Sequence, residues 1–248
     1  MKRYLTIIGL FLMFSGAIAC KNKKEANTTV ETFKLPEEVS EDTASKAEKN
    51  KNPEDFVPKG YIIFDTIYGD LNKDNVNDLV FIIKGTDKSK VIKDDYRGQL
   101  DRNRRGIIVL INKNAGYELA VKNYNCFSSE NEDGGAYFAP ELNIEITKDK
   151  LFINYGYGRY GYWQYMFRLQ DKDLILIGYD SSSNNGPVVN VETSINFLTR
   201  KKITNVNTNE NADSGEEVFE KTETKIARNK LIKLSEIKNF DELRFFDE

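Results

Sequence analysis

The chain has 248 residues and not one histidine. Ser-His-Asp and Cys-His catalysis, His-ligated zinc and histidine-held haem all need an imidazole, so these chemistries are excluded. Cysteine is nearly absent as well. Only Cys20 and Cys126 occur, too few for a disulfide framework. Cys126, followed by Phe127, reads as a small buried apolar residue, and a catalytic thiol would lack its usual base. There is no phosphate-cradling loop. Gly156, Gly158 and Gly161 alternate with tyrosines and open no helix. Strong basic patches are missing too: 88–90 and 102–105 are short and lie among Asp94, Asp95 and Asp101, so nucleic acid is not an expected partner.

The amino-terminal residues supply an address. Met1-Lys2-Arg3 is a basic start, and 4–19 is an apolar run with small residues near its end, the architecture of a signal peptide. The run is shorter than the ~20 residues of a comfortable membrane span. Ala17-Ile18-Ala19-Cys20 resembles a bacterial lipobox, which implies lipidation of Cys20 as the first mature residue. The plainer alternative is ordinary cleavage that leaves a free thiol. Lys21 gives no inner-membrane retention signal, so attachment through lipid to the outer membrane is the expected location. Removing Lys2 and Arg3 shifts the formal charge of −3 two units further negative. Residues 20–55 are polar and charged with few apolar side chains; they cannot bury enough surface to offset their ordering entropy and read as a flexible tether. The globular domain is expected over 56–248.

One stretch within that domain carries chemistry. Asp70, Asn72, Asp74 and Asp78 place side-chain oxygens at relative positions 1, 3, 5 and 9, and the backbone carbonyl of Val76 adds another. All-oxygen donors at this spacing suit a hard cation such as Ca²⁺, and three carboxylates this close repel one another without one. Position 12 is Phe81, inside an apolar run that reads as a strand, so the loop is not an EF-hand. An acidic loop entering a strand directly resembles the calcium loops of FG-GAP and VCBS repeats of integrin-type propellers, whose pattern is D-x-[DN]-x-D-G-x-x-D-[LIV]. Asp70, Asn72, Asp74, Asp78 and Leu79 match it. Asn75 stands where the family has glycine, and asparagine tolerates the left-handed turn needed there. The metal-free alternative is an Asx-rich surface turn.

Around this loop the pattern is that of strands: 61–64, 79–83, 106–112 and 117–121 about a hairpin turn, 142–146 and 151–155, then 162–169 and 174–179, with later strands at 193–199 and 218–226. The expected fold class is all-β: an antiparallel β-meander, either propeller-fragment-like or an irregular stack of sheets. Arg105 to Leu110, Cys126, Asp133-Gly134-Gly135, Tyr165 to Arg168 and Ile177 to Ser182 together resemble a group of bacterial lipoproteins and periplasmic proteins. These carry one FG-GAP-like loop followed by a β-meander, and the similarity spans about 58–205. It implies a cell-envelope role and brings no established activity.

Three segments are candidate ligand surfaces. Tyr157, Tyr160 and Trp163 belong to a tyrosine-rich run that offers an aromatic platform for a sugar ring, or else cross-strand packing. Glu132 and Asp133 are acidic residues before two glycines. Asp180 begins a polar stretch, 180–187, that reads as a loop of turn formers. The resulting expectation is a lipid-anchored envelope protein with a structural calcium loop, acting as a binding or maintenance module for a glycan or another envelope protein. The alternative is a glycan-acting hydrolase, for which Glu132, Asp133, Tyr157 and Asp180 would have to converge in one cleft.

Overall fold

The computed structural model describes residues 49–50, 52–113, 115–132, 139–227, 230–243 and 245. Two antiparallel sheets account for most of them. The first has five strands, β1 (Lys49–Asn50), β2 (Tyr61–Gly69), β3 (Asp78–Gly85), β6 (Arg105–Asn112) and β7 (Tyr117–Phe127), in the order β1-β7-β6-β3-β2. The second is a seven-stranded meander of β8 (Glu141–Thr147), β9 (Lys150–Gly156), β10 (Gly161–Gln170), β11 (Asp173–Asn185), β12 (Val188–Asn196), β13 (Lys201–Asn207) and β14 (Phe219–Lys225), each paired with the next. A separate hairpin, β4 (Val91–Asp94) and β5 (Gly98–Asp101), is inserted between β3 and β6. The all-β expectation holds in its stacked-sheet form, with no closed barrel.

Side-chain alternation decides how the sheets meet. Val80 and Ile82 of β3, with Ile107, Val109 and Ile111 of β6, share one cluster with Leu151, Ile153 and Tyr155 of β9 and with Tyr165 and Phe167 of β10. The interposed residues Leu79, Phe81, Ile83, Ile108 and Leu110 face the other way and form a second cluster with Phe56. Strands β3 and β6 are therefore buried on both faces, which is why their sequences are unbroken apolar runs rather than alternating ones. At the far edge, β14 is exposed at every position and alternates Glu220, Lys221, Glu223 and Lys225, charges that oppose edge-to-edge pairing.

The carboxy-terminal segment closes the core. Leu234, Ile237 and Phe240 are buried, and Phe240 stacks on Phe127 with ring centroids 5.1 Å apart and meets Tyr165 edge-on at 4.9 Å. Its backbone bridges both sheets. Asn123 Nδ2 of β7 donates to the carbonyls of Leu234 (2.8 Å) and Ile237 (2.7 Å), while the Leu176 N–H of β11 donates to Ile232 O at 2.9 Å.

Two expectations need correction. The stretch 180–187 is not a loop, because β11 continues to Asn185 and is paired with β10 and β12 on either side. Ladder hydrogen bonds from two neighbours outweigh the turn preference of its Ser and Asn residues. The later strand expected at 193–199 instead runs over Val188–Asn196. Within the segment read as tether, Lys49 and Asn50 pair with Glu118 and Tyr117.

Candidate functional site

Residues 70–77 connect β2 to β3 and wrap around their own carboxylates. Asp70 Oδ1 accepts from the backbone N–H groups of Asn72 (3.2 Å), Lys73 (2.6 Å) and Asp74 (3.3 Å), and its Oδ2 from that of Asn75 (2.9 Å). Asn72 Oδ1 takes the Asp74 N–H and Asp74 Oδ1 takes the Val76 N–H, each at 2.9 Å. The turn needs left-handed backbone at Lys73 (φ 68°) and at Asn75 (φ 63°), the position where the resembling pattern has glycine. Burial works against ionisation of Asp70, yet the four N–H donors prevail and hold its carboxyl below the ordinary aspartate value.

Asp78 differs from the other three. It is fully buried, and Oδ2 accepts the Leu71 N–H at 2.8 Å while Oδ1 accepts that of Asn112 at 2.9 Å. Burial pushes its carboxyl above the ordinary value, the two N–H groups oppose this, and the Asp74 and Asp70 carboxylates push it up further. Among the described residues, no lysine or arginine pairs with Asp70, Asp74 or Asp78; Lys73 points instead to Asp149, at 3.3 Å.

Does this donor set fit a cation? Among the described residues, no group of three or more His, Cys, Asp or Glu side chains is arranged to hold a metal ion. Two of the five expected donors, Asn72 and the Val76 carbonyl, are outside those residue types. Asp78 spends one lone pair of each oxygen on a backbone N–H and retains others, because an ionised carboxylate has about four acceptor sites. The donors are oxygen throughout, and no described lysine or arginine pairs with their carboxylates, which fits Ca²⁺ in chemistry.

The candidate ligand surfaces do not meet. Glu132 lies with Tyr61, Arg102 and Asn103 in a hollow of about 600 Å³, its Oε2 3.4 Å from Arg102 Nη1. Tyr157 and Tyr160 flank another of about 480 Å³, their rings 5.3 Å apart, with the Arg159 guanidinium 5.6 Å from the Tyr160 ring centre. Trp163 points inward, stacked on buried Tyr155 at 5.3 Å. Asp180 lies in a third depression, of about 430 Å³, on the outward face of the large sheet. Asp133 and Cys20 lie outside the described residues.

Two arrangements were not read from the sequence. Lys84, nearly buried, places its ammonium 2.7 Å from both Asp101 Oδ2 and Glu130 Oε1, with the Phe64 ring centre 5.6 Å away. The only signal for it is a lysine closing an apolar strand. The other is the company of Asp180: Glu192, Tyr162, Gln164 and Asn205. Burial, then the Asp180 carboxylate, then that of Glu192 raise the Tyr162 hydroxyl above its ordinary value. Alternation along β10 to β12 could have found this face once β11 was extended to Asn185. Comparison of the chain with protein-family models, curated proteins and solved structures finds no match, so the fold and these sites stand on their own geometry.

Proposed function

We propose that the chain is a lipid-anchored cell-envelope protein whose single FG-GAP-like loop binds Ca²⁺, and that the stacked sheets act as a binding module. The observation that carries this reading is the loop itself: it is wrapped about Asp70 and Asp74, joined to buried Asp78, and among the described residues no lysine or arginine pairs with the three. Asp70, Asn72, Asp74 and the Val76 carbonyl would hold the ion, with Asp78 completing the set. The ion would neutralise the loop and fix the β2–β3 connection. This role is structural, and catalysis is assigned to no residue.

Calorimetry of the purified protein with Ca²⁺ and with chelator tests the reading. An ion that binds only the folded state stabilises by RT ln(1 + [L]/Kd), ~2.7 kcal/mol at a hundredfold excess over Kd. Melting should rise by several degrees with Ca²⁺, Asp74→Ala should remove most of that rise, and Mg²⁺ should substitute weakly. Identical wild-type curves with ion and chelator would leave the loop as an Asx-rich turn.

A further inference from the structure

Strand register lines up a row across the outward face of the large sheet: Glu141, Gly156, Tyr162, Ser182, Glu192 and Asn205, on β8 to β13 in turn. The next row, two residues along each strand, contains Asn154, Gln164, Asp180 and Ser194. At ~4.8 Å between strands the row runs about 24 Å. The Asp180 carboxylate makes no hydrogen bond or ion pair with any described residue. Glu192 accepts from Asn205 Nδ2 at 3.2 Å, and Gln164 Nε2 donates to Asn154 Oδ1 at 2.5 Å. Tyr162 is 48% exposed beside them.

Gly156 gives the row its continuity. Gly161, nearby, is glycine by necessity: its φ is 116°, and a Cβ would sit 1.9 Å from Ser182 O. Gly156 is under no such constraint. Its φ is not positive, and a Cβ there would meet nothing within 4 Å. Ordering a glycine costs more backbone entropy than ordering any other residue, and Gly156, which closes β9, makes no close approach that requires it, so the fold alone gives no reason for it. What it does is leave a notch between Glu141 and Tyr162. Gly156 itself lines the hollow at Tyr157 and Tyr160, and its register partner Tyr162 lines the polar depression, so the two lie side by side across the notch.

We propose that the polar depression and the neighbouring hollow together bind a neutral polysaccharide chain, with Tyr157, Tyr160 and Tyr162 offering ring faces and Gln164, Asp180, Glu192 and Asn205 engaging sugar hydroxyls. The proposal rests on the binding-module reading and names its ligand class. Vicinal hydroxyls both donate and accept, and a face alternating carboxylate acceptors with amide donor–acceptors answers both needs. Tyrosine rings add rigid amphipathic contact area. An anionic chain would be repelled by the two carboxylates. Asp180 and Glu192 stand on β11 and β12, interior strands of the sheet, where a peptide cannot bind by strand addition. Asp180 and Glu192 project from the same face of one sheet rather than from opposite sides of a bond, so the groove is suited to holding the chain and not to cleaving it.

The test is a neutral-glycan microarray followed by calorimetric titration of the full-length protein with cellohexaose, xylohexaose and chitin hexasaccharide. Gly156→Val fills the notch at a position that tolerates a side chain, and Asp180→Ala removes one acceptor. Binding by the wild type, weakened at least ~tenfold in both variants with melting unchanged or higher for Gly156→Val, supports the groove. Three results would overturn it: no neutral glycan bound, equal binding by Gly156→Val, or binding of pentalysine in place of sugars. None of these touches the calcium-dependent melting shift or membrane attachment, so a failure here is separable from a failure of the module reading.

Discussion

The Asp78 carboxylate and the Asn112 backbone N–H, 34 residues apart and 2.9 Å from each other, tie the start of β3 to the end of β6. The second Asp78 oxygen ties in Leu71, so a single buried carboxylate joins the loop to two central strands. Asp78→Asn retains the shape but turns an amide NH₂ toward one of two N–H donors. Leaving a buried donor unsatisfied costs about 1–3 kcal/mol. Urea denaturation with and without chelator should show that loss in both conditions, because it does not depend on a bound ion.

Lys84 and its two acidic partners should shape the pH dependence of stability. Burial alone would raise Asp101, but hydrogen bonds from the Lys84 ammonium and from Asn103 hold its carboxyl below the ordinary 3.8. A carboxyl lowered by folding adds stability above 3.8 that is lost as pH falls through the lowered value. Lys84 is the mirror case. Burial opposes its charge, Asp101 and Glu130 prevail, and its raised value adds stability below 10.5 that is lost as pH climbs through the folded value. Denaturation midpoints followed across pH should show a shallower acid limb in Asp101→Asn and a shallower alkaline limb in Lys84→Met.

Gly161→Ala should be among the most damaging single substitutions in the tyrosine-rich segment. Its φ of 116° with ψ of −158° is territory that only glycine visits readily, and an added methyl meets the Ser182 carbonyl. A loss of at least ~2–3 kcal/mol is expected in chemical denaturation. Gly156→Ala, five residues earlier, should be neutral or slightly stabilising, which makes the pair an internal control.

Cys20→Ser should release the protein from the membrane fraction and abolish acyl labelling. The expectation rests on the basic start, the apolar run and Ala17-Ile18-Ala19-Cys20. Unaltered fractionation and labelling would count against lipidation.

Legibility from sequence followed the locality of the determinant. The hairpins at 106–121, 142–155 and 162–179 carry their own apolar runs and turn residues, and all three form. The half of β11 from Asp180 to Asn185 is polar and is a strand only because β10 and β12 flank it, a fact that no local pattern states. Strand β13, with Lys202 and Thr204 opposite Ile195 and Thr193, was missed for the same reason. The turn at 70–78 was legible residue by residue, since most of its hydrogen bonds run between neighbours in sequence. The groove at Asp180 was not, because its members come from four strands brought together by register.

Phe240 lies against Phe127, 113 residues earlier, within the core between the sheets. Contacts so distant in sequence form late, because a long stretch of chain must be ordered before they return any stability. Both sheets can begin to pair before residues 234–240 add their buried side chains. Closure of the interior around Phe127 thus waits on a partner 113 residues away in sequence.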